Sequence, residues 1–224
     1  MSSFDGARAE SLANQLLSSA TTADAGELMN GLLSEFHRGY PLENLRPFLH
    51  SDNLDVLRAG AWIASELGQS GSPLLGDVVP LLGHPDRRVR VYALDCLLLW
   101  ANSSQGQVIA STLAFLDDSD DRIRRKEMDF LSRASEEQLA AAMLFVTKSN
   151  PQSKYKSGLD LLLGKDNLSA MAIAAIGSGN VTLMKFGAVL ARRTRRLSLD
   201  PLKLALSSIN DDVKLFAESS MRII

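Results

Sequence analysis

The sequence predicts an all-α chain, a right-handed α-solenoid of about seven helical hairpins. Three observations predict it. One segment, His84 to Leu97 (HPDRRVRVYALDCL), recurs in altered form along most of the 224 residues as a polar turn, an aliphatic residue, a basic residue, two variable positions and a small residue. Val89-Arg90…Ala93, Leu57-Arg58…Ala61, Met184-Lys185…Ala188 and Val213-Lys214…Ala217 carry it, and Ile123-Arg124…Glu127 keeps its first half and loses the small residue. Asp118-Ser119-Asp120 lies 34 residues after His84-Pro85-Asp86, and a period of that length with helical spacing inside it marks a helical-repeat array. Leucine and alanine abound while aromatics are only 6%, which favours helices over strands.

In chain order, Phe4–Ala20 places Leu12, Leu16 and Leu17 at helical spacing. Thr21-Thr22 and Asp24 offer caps for a second helix bearing Leu28, Leu32, Leu33 and Phe36. This pair lacks the repeat signature, so residues 1–40 read as an N-terminal capping hairpin, continuous as one domain with repeats over 41–224. Leu42–Leu49, a Ser51-Asp52-Asn53 turn and Asp55–Leu67, ended by Gly68, form the first regular unit. Pro73–Leu82 and Asp86–Ala101 form the next. Pro47 and Pro80 occupy matching places in the two first helices and should kink them. Val108–Leu116 pairs with Asp120–Leu131. Glu136–Thr147 pairs with Ser153–Leu163 around Asn150-Pro151, the most degenerate unit. Asn167–Ile176 and Val181–Arg193 flank Gly177-Ser178-Gly179-Asn180, and Asp200–Ile209 with Asp211–Ile223 follow, Pro201 standing where a helix start tolerates proline.

The pattern of turn, aliphatic, Arg or Lys, two variable positions and Ala resembles HEAT-like repeats of the shorter bacterial kind, over Leu42 to Ile224. The resemblance implies an Asp six residues before the basic position. Asp52 and Asp118 stand so before Arg58 and Arg124, whereas His84, Gly179 and Ser208 occupy that place elsewhere, leaving the implied Asp–Arg ladder incomplete. Units of 29 to 34 residues are shorter than the usual HEAT repeat, but the tetratricopeptide and ankyrin signatures are absent. The resemblance implies an architecture and names no activity.

A net charge of −2 argues for no polyanionic partner. Ten Asp/Glu against four Lys/Arg give residues 1–83 a balance of −6, and sixteen against twenty give residues 84–224 +4, a mild asymmetry of the kind solvated helix faces carry. The single cysteine, Cys96, excludes an intramolecular disulfide and reads as a small buried hydrophobe. No signal-like stretch and no run of 18 apolar residues occurs, so a cytoplasmic, monomeric protein without membrane contact is the expectation.

Enzymatic chemistry is not visible. His37, His50 and His84 stand near helix ends, where the dipole accounts for them, and none has a second ligand at metal-binding spacing. Gly177-Ser178-Gly179-Asn180 lacks the strand, third glycine and lysine of a phosphate loop. Asp117-Asp118-Ser119-Asp120-Asp121 lacks the glycine and final glutamate of a calcium loop and reads as a helix cap. No cofactor is expected. The basic runs 122–126 and 192–196 support an alternative, nucleic-acid binding, though no aromatics interleave to stack bases. Some HEAT-like proteins are DNA glycosylases, but their tryptophan-rich catalytic segment has no counterpart, Trp62 and Trp100 being isolated.

Stepping 100° per residue puts Val89, Ala93, Cys96, Leu97 and Trp100 on one side and Arg88, Val91 and Asp95 on the other. The same outward phase collects Arg122, Arg125 and Asp129 with Lys126 and Arg133 beside them, then Lys156 and Asp160, then Phe186 and Arg193. Asp95, Asp129 and Asp160, spaced 34 and 31 residues apart, would stack as an acidic stripe flanked by bases. The plainer reading is a set of solvated i,i+4 pairs, Arg125–Asp129 and Lys156–Asp160. The expected function is non-enzymatic binding of a partner protein on a concave face, one specific form being inhibition of, or immunity to, a bacterial toxin.

Overall fold

The computed structural model describes residues 6–19 and 24–222. Phe4, Ala20, the Thr21-Thr22 cap and Ile223 lie outside the described residues. The chain divides into two compact units, residues 1–100 and 101–224. Both are all-α, and the described residues form no strand.

In the first unit α1 (Gly6–Ser19) and α2 (Ala25–His37) pair as a hairpin and pack on α4 (Leu54–Glu66). The expected first helices of the two regular units are broken. Leu42–Leu45 is a 3₁₀ turn followed by α3 (Arg46–Leu49), and Gly68–Leu74 and Val79–Gly83 are 3₁₀ segments flanking α5 (Leu75–Val78). Proline is the reason: Pro47 and Pro80 each sit in the first turn of a new segment, where the missing N–H costs nothing, instead of inside a continuous helix. The second helices are regular. α4 and α6 (Arg87–Trp100) pack side by side, and Leu57, Ala61, Val89, Ala93, Cys96, Leu97 and Trp100 are buried, the last five being the side that 100° stepping groups together. Gly71 leaves the space the Trp100 ring fills, and the indole Nε1–H donates to the Gly68 carbonyl at 2.6 Å.

In the second unit a 3₁₀ turn at Ser103–Gln105 leads into α7 (Gly106–Thr112), and another at Leu113–Asp117 precedes α8 (Asp121–Arg133). Then follow α9 (Glu136–Ser149), α10 (Lys156–Leu163), α11 (Leu168–Ile176), α12 (Val181–Arg193), α13 (Asp200–Leu206) and α14 (Asp211–Met221). The helices that carry the repeat signature, α8, α12 and α14, pack against one another, while α9 and α10, the degenerate pair, attach to α7 and α12. Helix α12 is therefore central, touching α8, α10, α11, α13 and α14, and Met184 to Ala191 are all buried. Gly158 and Gly187 permit this packing, since a Cβ on Gly158 would lie 2.2 Å from the Phe186 ring and one on Gly187 2.8 Å from Ala175 Cβ.

One turn chemistry precedes five of these helices. A side chain accepts the amide two residues on, and that next residue caps the helix. Ser51 and Asn53, His84 and Asp86, Asp118 and Asp120, Ser178 and Asn180, and Ser208 and Asn210 are the five pairs. Within the acidic run at 117–121, Asp118 and Asp120 are thus spent on the turn and cap, as their position before a helix suggests. The Gly177–Asn180 turn has Gly179 at φ +72°, a left-handed conformation suited to glycine.

Candidate partner-binding surface

The basic position of the repeat works inside the fold. Arg90 Nη1 donates to the carbonyls of His84 and Pro85, each at 3.0 Å, and Arg124 Nη1 does the same to Asp118 and Ser119, at 2.8 and 3.2 Å. Arg58 reaches on to Asp86, the cap of the following signature helix, and that bond raises the guanidinium's pKa against the opposing effect of burial. Arg124 is shared with Asp212, which it meets at 2.6 and 3.2 Å, and Lys185 lies 3.3 Å from the same carboxylate while donating to the Leu116 carbonyl. Asp212 and Lys185 are both buried. Arg58 and Arg124 each meet an acid at the start of an adjacent signature helix, Asp86 and Asp212, and Asp118, six residues before Arg124, adds its charge beside that guanidinium.

The residues expected on a common outward stripe fall in both units and differ in exposure. Arg88, Val91 and Asp95 belong to the first unit, Arg88 exposed and the other two half-buried. In the second unit Arg122, Arg133 and Asp160 are exposed, while Arg125, Lys126, Asp129, Lys156 and Arg193 are half-buried. Phe186 is fully buried against Gly158, so it is a core residue and not a surface contact. The outward phase fails there because α12 is packed on every side from Met184 to Ala191. The pair Lys156–Asp160 forms at 2.9 Å. Arg125 does not pair with Asp129; it turns back to Asp121 at 2.7 Å, and Asp129 is bound by Arg192 at 2.8 Å because α8 packs on α12. Arg193 donates to the Leu131 and Ala134 carbonyls at 3.0 and 2.7 Å, closing the C-terminal end of α8.

Other candidates resolve into structural roles. Cys96 is buried and its thiol pKa is pushed up, first by burial and then by Asp95. His84 Nδ1 accepts the Asp86 amide, and His50 Nε2 meets Asp77 Oδ1 at 2.8 Å beside Arg46. Burial would raise the Asp77 pKa, but the bonds from His50 and Arg46 hold it below the ordinary carboxylate range. Asp117 accepts from the Tyr155 hydroxyl at 2.6 Å and pairs with Lys154 at 2.7 Å. Among the described residues no group of three or more His, Cys, Asp or Glu is placed to hold a metal, and no helix is long and apolar enough to cross a membrane.

What the stripe reading missed is an apolar surface on α10, α11 and α12. Helix α11 (LSAMAIAAI) contains no charged residue, and its Ala170, Ile173 and Ala174 are exposed. Beside it an open groove of about 400 Å³ is lined by Leu161, Met171, Ala174, Ala175 and Leu183, with Ser157 and Asp160 as its polar members. Val181, at the start of α12, is 48% exposed. A helix with no charged side chain was legible as buried or docked.

No protein-family profile matches the chain, and no curated protein sequence does. Among solved structures, an engineered protein from a structural genomics consortium is similar at 12% identity and a TM-score of 0.45, over 96% of this chain and 67% of that one. A designed armadillo repeat protein in complex with a (KR)4 peptide is similar at 14% identity and a TM-score of 0.45, over 93% of this chain and 97% of that one. At this level of likeness the fold rests on the helices and their packing.

Proposed function

We propose that the chain is a non-enzymatic helical-repeat module that binds a partner protein through the α10–α12 surface. One observation carries the reading: an uncharged helix lies at the surface beside an apolar groove, with Ile173 and Val181 exposed next to it. Exposed apolar patches of this kind mark interaction sites, and methionine adapts such a floor to a partner's side chains. Arg122, Lys156 and Asp160 supply charge on the same unit for orienting the partner. In its most specific form the partner is a toxin whose active site the module covers. The HEAT-like assignment, and the role of residues 1–40 as a cap on one continuous array, belong to the same proposal.

The nucleic-acid alternative is weakened by where the basic runs spend their charge. Phosphate binding needs free cations. Arg124, Arg125 and Arg192 are tied to carboxylates and Arg193 is recessed against the end of α8, which leaves Arg122 and Arg196 as the exposed arginines of the two runs. The test is affinity purification from the native organism with wild type and Ala174→Arg, whose side chain would stand in the groove. A protein retained by wild type and lost by the variant, at equal melting temperatures, is the expected result. Equal retention by both refutes the assignment of this surface.

A further inference from the structure

A second cavity in the same unit, about 260 Å³, is lined by Leu163, Leu168 and Leu190 together with Arg193, Glu136 and Lys165. Arg193 Nη1 spends its hydrogens on the carbonyls that end α8, the third and longest contact being Ser132 at 3.5 Å. Its Nε and Nη2 groups hydrogen-bond no protein atom among the described residues, yet neither is sealed away from solvent. No carboxylate among the described residues lies within ion-pair distance of Arg193. Glu136, the acid on the cavity wall, is bound to Lys165 at the surface. A guanidinium is thus anchored by one nitrogen, walled by leucines and left with three N–H donors.

We propose that this cavity receives an aspartate or glutamate side chain of a partner protein, its carboxylate held by Arg193 Nε and Nη2 and its stem against Leu163, Leu168 and Leu190. The fork of a guanidinium matches a carboxylate in two parallel bonds, which a lysine or an amide cannot reproduce. Burial depresses the Arg193 pKa, opposed by Glu136, so the cation is already partly stripped of water and an arriving anion has less left to displace. The volume lies below the roughly 300–1,000 Å³ of small-molecule pockets and suits one side chain, the usual form of an interface anchor. The choice of a protein as the source of the carboxylate rests on the protein-binding reading above; the cavity's preference for a carboxylate does not.

The experiment is an NMR titration of the full-length ¹⁵N-labelled chain, reading the Arg193 Nε–H resonance, assigned by its loss in Arg193→Lys. The probes are acetyl-Leu-Glu-Leu-amide, its glutamine counterpart and isovalerate. The glutamate peptide should move the Arg193 resonance saturably, and the glutamine peptide should bind about ten-fold more weakly, the difference between a charged and a neutral acceptor. Glu136→Gln, a surface change, should tighten the glutamate peptide by about three-fold by removing the competing carboxylate. Equal binding of the two peptides, or an unmoved Arg193 resonance, overturns the proposal, as does unchanged affinity in Glu136→Gln. Isovalerate binding without the glutamate peptide overturns the assignment to a protein side chain. Loss of the purified partner in Ala174→Arg bears on the α10–α12 surface and leaves these outcomes independent.

Discussion

Replacing Glu127 by glutamine should alter how the stability of the protein responds to pH. Glu127 stands on α8 where the other signature helices carry alanine, and it is completely buried. Its Oε1 is 3.0 Å from Thr112 Oγ1, which is itself 2.8 Å from the Ile109 carbonyl, and its Oε2 has no partner. A hydroxyl has one proton to donate. When it goes to Ile109, the threonine oxygen can only accept, and Glu127 must be the donor, hence the neutral acid. Burial pushes the Glu127 pKa well above its ordinary value, against the smaller pull of Thr112. A carboxyl with a raised folded pKa stabilises most below the unfolded value of about 4.3, and that stability is lost as pH climbs toward the folded pKa, at about 1.4 kcal/mol per unit. Above pH 5 each unit that stays below the folded pKa costs about 1.4 kcal/mol, or about 3–6 °C of melting temperature for a chain of this size. Glutamine has no proton to lose, so its melting temperature should gain on wild type by that amount for each such unit. Circular dichroism melts of both proteins at pH 5, 6 and 7 measure the gap, in which all other titrations cancel. Parallel curves would refute a neutral Glu127.

Two further substitutions test the packing of α12. Gly158→Ala places a Cβ against the Phe186 ring and should cost about 1–3 kcal/mol, read as a lower guanidinium midpoint; an unchanged midpoint would mean that α10 does not press on α12 there. Asp212→Asn removes the carboxylate shared by Arg124 and Lys185 and should cost about 3 kcal/mol, since a buried cation loses its partner; a variant as stable as wild type in urea would show that the backbone carbonyls alone hold those two cations.

The second helices of the regular units were legible to within a few residues because two signals agree in them. A cap residue stands at the N-terminus, as Asn53, Asp120, Asn180 and Asn210 do, and the aliphatic-plus-alanine spacing then sets the buried face. The first helices were harder: Pro47 and Pro80 announce a disturbance without saying whether the chain bends or breaks. The stripe was only partly legible. Helical phase places a side chain around its own axis, and it finds the surface only when one side of the helix is free. That holds for Asp160 on α10 and fails for Phe186 on α12. Nor could spacing alone reveal that α8 leans on α12, which joins Asp129 to Arg192 across 63 residues of sequence. The uncharged run Leu168–Ile176 was visible from the start, but an apolar helix reads equally as core until its neighbours are known.

The bonds from Arg90 and Arg124 back to the carbonyls five and six residues upstream have a consequence for kinship. Every residue type offers the same carbonyl, so the turn can hold His84-Pro85 in one place and Asp118-Ser119 in another without loosening the arginine. A contact written in side chains leaves a pair of letters that comparison can find. One written half in main chain leaves a single letter, and its partner can drift without trace. Chains that keep this architecture can therefore diverge until only a lone basic residue every thirty or so positions betrays them.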